Sequence, residues 1–154
     1  MSTNVLSNKD IKRNWHQVDA NGQIVGRLAS QVATILMGKN KVNFVPYMDN
    51  GDFVVITNAS KVTVSGKKGE QKNYYRHSGF PGGFKQENFN HLLARRPEEV
   101  IRHAVKGMLP KNKLGKRMIK KLHVFAGDKH TFAKQLGQQV KLPEVKGDSE
   151  TSSE

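Results

Sequence analysis

The chain reads as an α/β protein with a small, mainly parallel sheet. Short strand-like runs alternate with helical patterns, the order that builds a parallel sheet with helices packed on it. Phe53-Val-Val-Ile-Thr57 is a continuous apolar run of strand length, the pattern of a strand buried on both faces. Val100, Ile101, Ala104, Val105, Met108 and Leu109 recur at the spacing of one helical face. A length of 154 residues and a hydrophobic fraction of 36% suit one compact domain with a core.

Residues 1–13 form a polar lead-in without the apolar stretch of a secretory signal. Trp15–Ala20 has strand character and is closed by the turn pair Asn21-Gly22. Arg27–Met37 places Leu28, Val32, Ile35 and Leu36 on one helical face, and Gly38 supplies the stop. After the strand 53–57, Val62-Thr-Val64 reads as a further short strand. Residues 66–86 hold five Gly, one Pro and four aromatics, so no regular element with a clean apolar face is expected there and the segment reads as an extended arm. Pro97 opens the next helix, with Glu98 and Glu99 at the positive end of its dipole, and Pro110 ends it. Leu114–Leu122 reads as a short basic helix with Met118, Ile119 and Leu122 inward, and His123–Ala126 as a last strand. The expected organisation is a domain over 14–142, with the arm at 66–86, followed by an acidic, disordered tail over 143–154.

Charge points to the partner. The chain has 26 Lys+Arg and 13 Asp+Glu, a net +13. Residues 1–60 carry 6 basic and 4 acidic side chains, and 131–154 carry 3 and 4, whereas 61–130 carry 17 and 5, a net +12. Such a stretch repels itself when folded, so a polyanion is expected to neutralise it, either nucleic acid or an anionic membrane surface. Lys111, Lys113, Lys116, Arg117, Lys120 and Lys121 lie within eleven residues without one carboxylate, so none has an i,i+4 partner of opposite sign. In the arm, Tyr74, Tyr75, Phe80 and Phe84 interleave with Lys72, Arg76, His77 and Lys85. Aromatic faces can stack on unpaired bases while cations hold phosphates, and Gly82-Gly83 lets backbone come close. Membrane binding would want one long amphipathic helix, which Pro97 and Pro110 interrupt, and no apolar run approaches the roughly 20 residues of a span.

Enzyme and cofactor signatures are missing. Neither Gly66-Lys67-Lys68 nor Gly115-Lys116-Arg117 has Walker spacing, and Gly79–Gly83 lacks the dinucleotide-binding pattern. The six His show no His-x3-His pair, and the acidic residues are too few and scattered for a two-metal centre, with Asp49 and Asp52 falling in an expected turn. With no Cys, thiolate catalysis and Cys-based metal sites are excluded. The expectation is an RNA-binding protein without metal, cofactor or catalytic residues.

Four blocks stand in order along the chain: Trp15–Ala20 with Gly26-Arg-Leu-Ala-Ser30, then Asp49–Ala59, then Tyr75-Arg-His-Ser-Gly-Phe-Pro-Gly-Gly83. The last and most specific is Val105-Lys-Gly-Met-Leu-Pro-Lys-Asn-Lys-Leu-Gly-Lys-Arg-Met118, running into Leu122–Gly127 and His130. Together they resemble the bacterial-type large-subunit ribosomal protein thirteen family. Phe125 stands where many members have Tyr, and the two ends fall outside the match. The resemblance implies a three-layer α/β/α domain and a structural role in the cytoplasmic large ribosomal subunit. Its implied partners are large-subunit ribosomal RNA, bound early in assembly, and neighbouring ribosomal proteins. Charge and resemblance together give an expected RNA-binding set: Lys67, Lys68, Lys72, Tyr74, Tyr75, Arg76, His77, Gly82, Gly83, Lys85, Arg95, Arg96, Lys106, Lys111, Lys113, Lys116, Arg117, Lys120, Lys121 and His130. A free regulator acting on messenger RNA would share every charge feature, and an RNA-modifying or RNA-cleaving enzyme is the third reading.

Overall fold

The computed structural model describes Ser7 and residues 11–136. The elements are β1 (Trp15–Asp19), α1 (Val25–Met37), β2 (Phe53–Thr57), α2 (Lys68–Gln71), β3 (Asn73–His77) and β4 (Phe84–Asn88). They continue with α3 (Phe89–Arg95), α4 (Pro97–Met108), α5 (Lys113–Met118), β5 (Leu122–Val124) and α6 (Ala133–Leu136). The tail expected over 143–154, most of the lead-in and the last residues of the 14–142 unit lie outside the described residues.

An open parallel sheet has β2 at its centre, in the order β1-β2-β5. Trp15 lies opposite Phe53, and Leu122 opposite Val54. The central position explains the continuous apolar run, since Val54, Val55, Ile56 and Thr57 are all buried. Strand alternation sends Val54, Ile56, Leu122 and Val124 to one face, where they join a core with Leu28, Val32 and Leu36 of α1 and Val100, Ile101 and Val105 of α4. Full burial of a side chain such as Leu28 contributes about 1.5–3 kcal/mol. Gly38 closes α1 at φ 80, its N–H donating to the Ile35 carbonyl. Pro97 begins α4, with Glu98 and Glu99 in its first turn.

The opposite face carries rings. Trp15 stacks on Phe53 at 4.5 Å between centroids and lies 5.1 Å from Phe132, which in turn lies 4.4 Å from His123. The segment bearing Phe132 leads into α6, which packs against β1. Helices therefore cover one face, while the stack and the single turn of α6 cover the other.

Four local expectations are corrected. Val62–Val64 is not a strand, because Thr63 makes only an isolated bridge to Ile24. The last strand is Leu122–Val124 rather than 123–126, since the short helical turn Ile119–Lys121 delivers the chain directly onto Val54. Met108 is 43% exposed instead of inward, because α4 ends there. Residues 66–86 are not an irregular arm: after the short α2, β3 and β4 form a regular antiparallel hairpin. The hairpin does not need the apolar face that the composition lacks, because most of it projects into solvent.

Candidate nucleic-acid interface

The hairpin is held by its ladder and by its tip. Gly79 and Gly82 adopt φ +91 and +72, and a Cβ on Gly83 would lie 2.0 Å from the Ser78 hydroxyl oxygen, so the turn requires its glycines. The register places Arg76 opposite Lys85. Like charges facing each other across a ladder destabilise it, and a bound anion removes the penalty. The other face of the ribbon is aromatic: Tyr75 and Phe84 stack at 5.7 Å, 63% and 60% exposed, with Phe80 exposed at the tip. His77 lies opposite Phe84. Lys67, Lys68 and Lys72 are exposed at the base of the ribbon.

Tyr74 differs from its neighbour. It is half-buried, edge-on to His103 at 5.2 Å and beneath the Lys72 ammonium at 5.3 Å. Burial raises its pKa, and among the described residues its buried hydroxyl has no hydrogen-bond partner. Tyr74 therefore anchors the ribbon, and Tyr75 presents the open ring.

The second basic surface is a tight turn. Leu109 is buried, and the Asn112 side chain caps α5 by accepting the Gly115 N–H at 2.8 Å. A Cβ at residue 115 would meet the Pro110 carbonyl oxygen at 1.9 Å, so the glycine lets α5 fold back on the proline. Met118 points inward, while Lys111, Lys113, Lys116, Arg117 and Lys120 are exposed and make no ion pair among the described residues. Lys106 is exposed on the preceding helix α4.

The remaining expected residues sit elsewhere. Lys121 is buried at 6% exposure, its ammonium donating to Asp49 at 2.5 Å, the Gly51 carbonyl at 2.9 Å and the Leu36 carbonyl at 3.3 Å. Burial lowers its pKa and the Asp49 carboxylate partly restores it. Lys121 therefore leaves the exposed set, because the helical turn before β5 aims it at the loop between α1 and β2. His130 is half-buried beside Phe125 at 6.0 Å, with Nδ1 buried, and belongs with the rings on the sheet. Arg95 and Arg96 are exposed but already paired, with Glu87 at 2.6 Å and Glu99 at 2.9 Å. Hydrogen bonds from His91 and then Arg95 lower the pKa of Glu87.

Asp49 and Asp52 take structural roles that their spacing did not disclose. Asp52 accepts from the Asn14 N–H at 2.9 Å, pairs with Lys41 at 2.5 Å and meets His16 Nε2 at 3.0 Å. Burial raises its pKa, but the bonds from His16, Lys41 and Asn14 outweigh that and hold it below its ordinary value. The two aspartates clamp the loop 38–52 to the sheet and to Lys121. Lys121 lies 72 residues from Asp49 along the chain, so no local signal marks that pair and only the fold brings it together.

Residues 13–131 match the family described as Ribosomal protein L13. The chain belongs to the ribosomal protein L13 family. It is similar to the large ribosomal subunit protein uL13 of Roseiflexus castenholzii, at 52% identity over 135 residues, 88% of this chain and 92% of that one. The uL13 of Psychrobacter cryohalolentis is 55% identical over 126 residues, 82% and 89% of the two chains. That of Dehalococcoides mccartyi is 52% identical over 141 residues, 92% and 99%. As a member of the L13 family the chain is a ribosomal structural component and not an enzyme. Among the described residues no three His, Asp or Glu are grouped to hold a metal, and no helix is long and apolar enough to cross a membrane.

Proposed function

We propose that this chain, as a constituent of the large ribosomal subunit, binds large-subunit ribosomal RNA and organises its fold early in assembly, on cytoplasmic ribosomes beside neighbouring subunit proteins. One observation carries the reading: Lys111, Lys113, Lys116, Arg117 and Lys120 are exposed on a capped, glycine-dependent turn, and none of them is paired with a carboxylate among the described residues. A phosphate backbone supplies the missing charge. The hairpin adds Arg76 and Lys85 on one face and the Tyr75–Phe84 stack on the other, a pairing of cations with open rings that suits folded RNA with unstacked bases. Acting as a scaffold, the two surfaces hold separate RNA segments in fixed relation on an α/β core.

Filter binding to a large-subunit RNA fragment over a salt series tests this. Neutralising about eight phosphates gives a slope of log K against log salt of about −6 to −7. A slope near zero overturns the proposal. Lys116→Glu with Arg117→Glu weakens binding more than Lys9→Glu with Lys12→Glu, and equal effects would contradict the charge map. Co-migration with the large particle after a high-salt wash distinguishes a subunit component from a free regulator. Reconstitution without the chain stalls before the late intermediates if it acts early.

A further inference from the structure

Most glycines here have an evident structural reason. Of the twelve described, five adopt positive φ, and four more have a Cβ position crowded by atoms at 3.0 Å or closer. Gly26, Gly107 and Gly127 have neither, as a Cβ on any of them meets nothing within 4 Å. Two of these three, Gly26 at the start of α1 and Gly107 in the last turn of α4, line one cleft of about 370 Å³. Glycine is a poor helix residue, so two helical glycines without an internal role facing the same space indicate that the space is kept open for something from outside.

The chemistry of the walls identifies the occupant. Ile24, Val64, Ala104 and Met108 make the cleft largely apolar. Lys68 and Lys72 stand on its edge, exposed and outside every ion pair among the described residues. Lys72 directly precedes β3, so the cleft continues into the basic ribbon. An apolar slot with a cationic edge is complementary to a flat, weakly polar group joined to an anion. We propose that the cleft receives one unstacked nucleotide of the bound RNA. Its base lies against Ile24, Val64, Ala104 and Met108, and its phosphate meets Lys68 and Lys72. This rests on the RNA-binding reading above and adds to it a discrete, side-chain-lined site, distinct from backbone neutralisation along the ribbon and the α5 turn.

Filling the cleft without touching a charge is the test. Gly107→Leu places a side chain in the open space, and leucine is a better helix residue than glycine, so the urea midpoint is not lowered. RNA affinity falls about tenfold, the scale of losing one well-held base. The salt slope is unchanged, because no cation has been removed. Gly107→Ala, too small to fill the cleft, keeps most of the affinity. A leucine variant that binds as tightly as the unaltered protein, with the steep salt dependence intact, overturns the cleft proposal and leaves the RNA reading standing. A salt slope near zero in the unaltered protein removes both. A benzophenone amino acid in place of Met108 in the assembled subunit crosslinks to RNA, and crosslinking to protein alone would overturn the proposal in favour of a peptide occupant.

Discussion

Lys120 and Lys121 are adjacent in sequence and opposite in role, which makes their methionine variants a sharp pair. Lys121→Met keeps the aliphatic stem but removes the ammonium, leaving the Asp49 carboxylate and the Leu36 and Gly51 carbonyls without their donor. Breaking a fully buried pair costs about 3–5 kcal/mol. Here the Asp49 side chain keeps 15% exposure, and Lys121 loses the cost of its own burial, so the expected loss is about 2–3 kcal/mol. Against a total stability of about 5–15 kcal/mol, with a urea slope of about 1–3 kcal/mol per molar, the midpoint falls by about 0.7–3 M. Lys120→Met, at a position exposed and outside every ion pair among the described residues, changes stability by less than about 0.5 kcal/mol. The order reverses in the salt titration. Losing a phosphate contact at Lys120 reduces the slope by about 0.7–0.9, while the folded Lys121 variant keeps the full slope. A Lys121 variant with normal stability and a reduced slope would refute the assignment of that ammonium to the Asp49 clamp.

Gly115→Ala brings a Cβ to 1.9 Å from the Pro110 carbonyl oxygen and is expected to cost more than about 2 kcal/mol in urea unfolding, with RNA binding falling as the cationic turn shifts. Arg76→Ala relieves the repulsion across the ribbon from Lys85, so thermal unfolding shows a gain of up to about 0.5 kcal/mol while filter binding shows weaker RNA affinity. Because the folded pKa of Asp52 is depressed, its stabilisation is full above the unfolded carboxylate value of about 4 and is lost as pH falls through the folded value. Asp52→Asn accordingly lowers the urea midpoint at neutral pH and flattens its decline under acid.

Legibility in the sequence followed burial. Leu28, Val32, Ile35 and Leu36 are periodic because one helix face meets the sheet, and Val54–Thr57 is continuous because β2 is covered on both sides. The ribbon was unreadable as regular structure for the converse reason. With most of its residues in solvent, no apolar alternation was imposed, and its order lies in backbone pairing and turn glycines. Helix α3 is not marked by a long apolar repeat, because its fully buried anchors are Phe89 and Leu92, with Leu93 packed partly against the core, and Arg95 and its cap Arg96 read as charge. Among the cations, sequence separated none of the free from the engaged. Lys121 differs from Lys120 only in facing a notch at Gly51, where a Cβ would lie 1.8 Å from the Leu36 carbonyl oxygen. That notch is a property of three segments meeting, and no local pattern encodes it.

The ring stack on the sheet has an optical consequence. Trp15 is the chain's single tryptophan, and it stacks on Phe53 of the central strand and on Phe132 of the segment that crosses over the sheet. Its emission therefore senses both closure of the β1–β2 pair and arrival of that segment. His123, also stacked with it at 5.8 Å, is held toward its neutral form by burial and then by Arg102, so it quenches little near neutral pH. The molecule thus carries a built-in fluorophore whose ring neighbours are Phe53, His123 and Phe132, able to time the setting of its core while RNA is present, with no label attached.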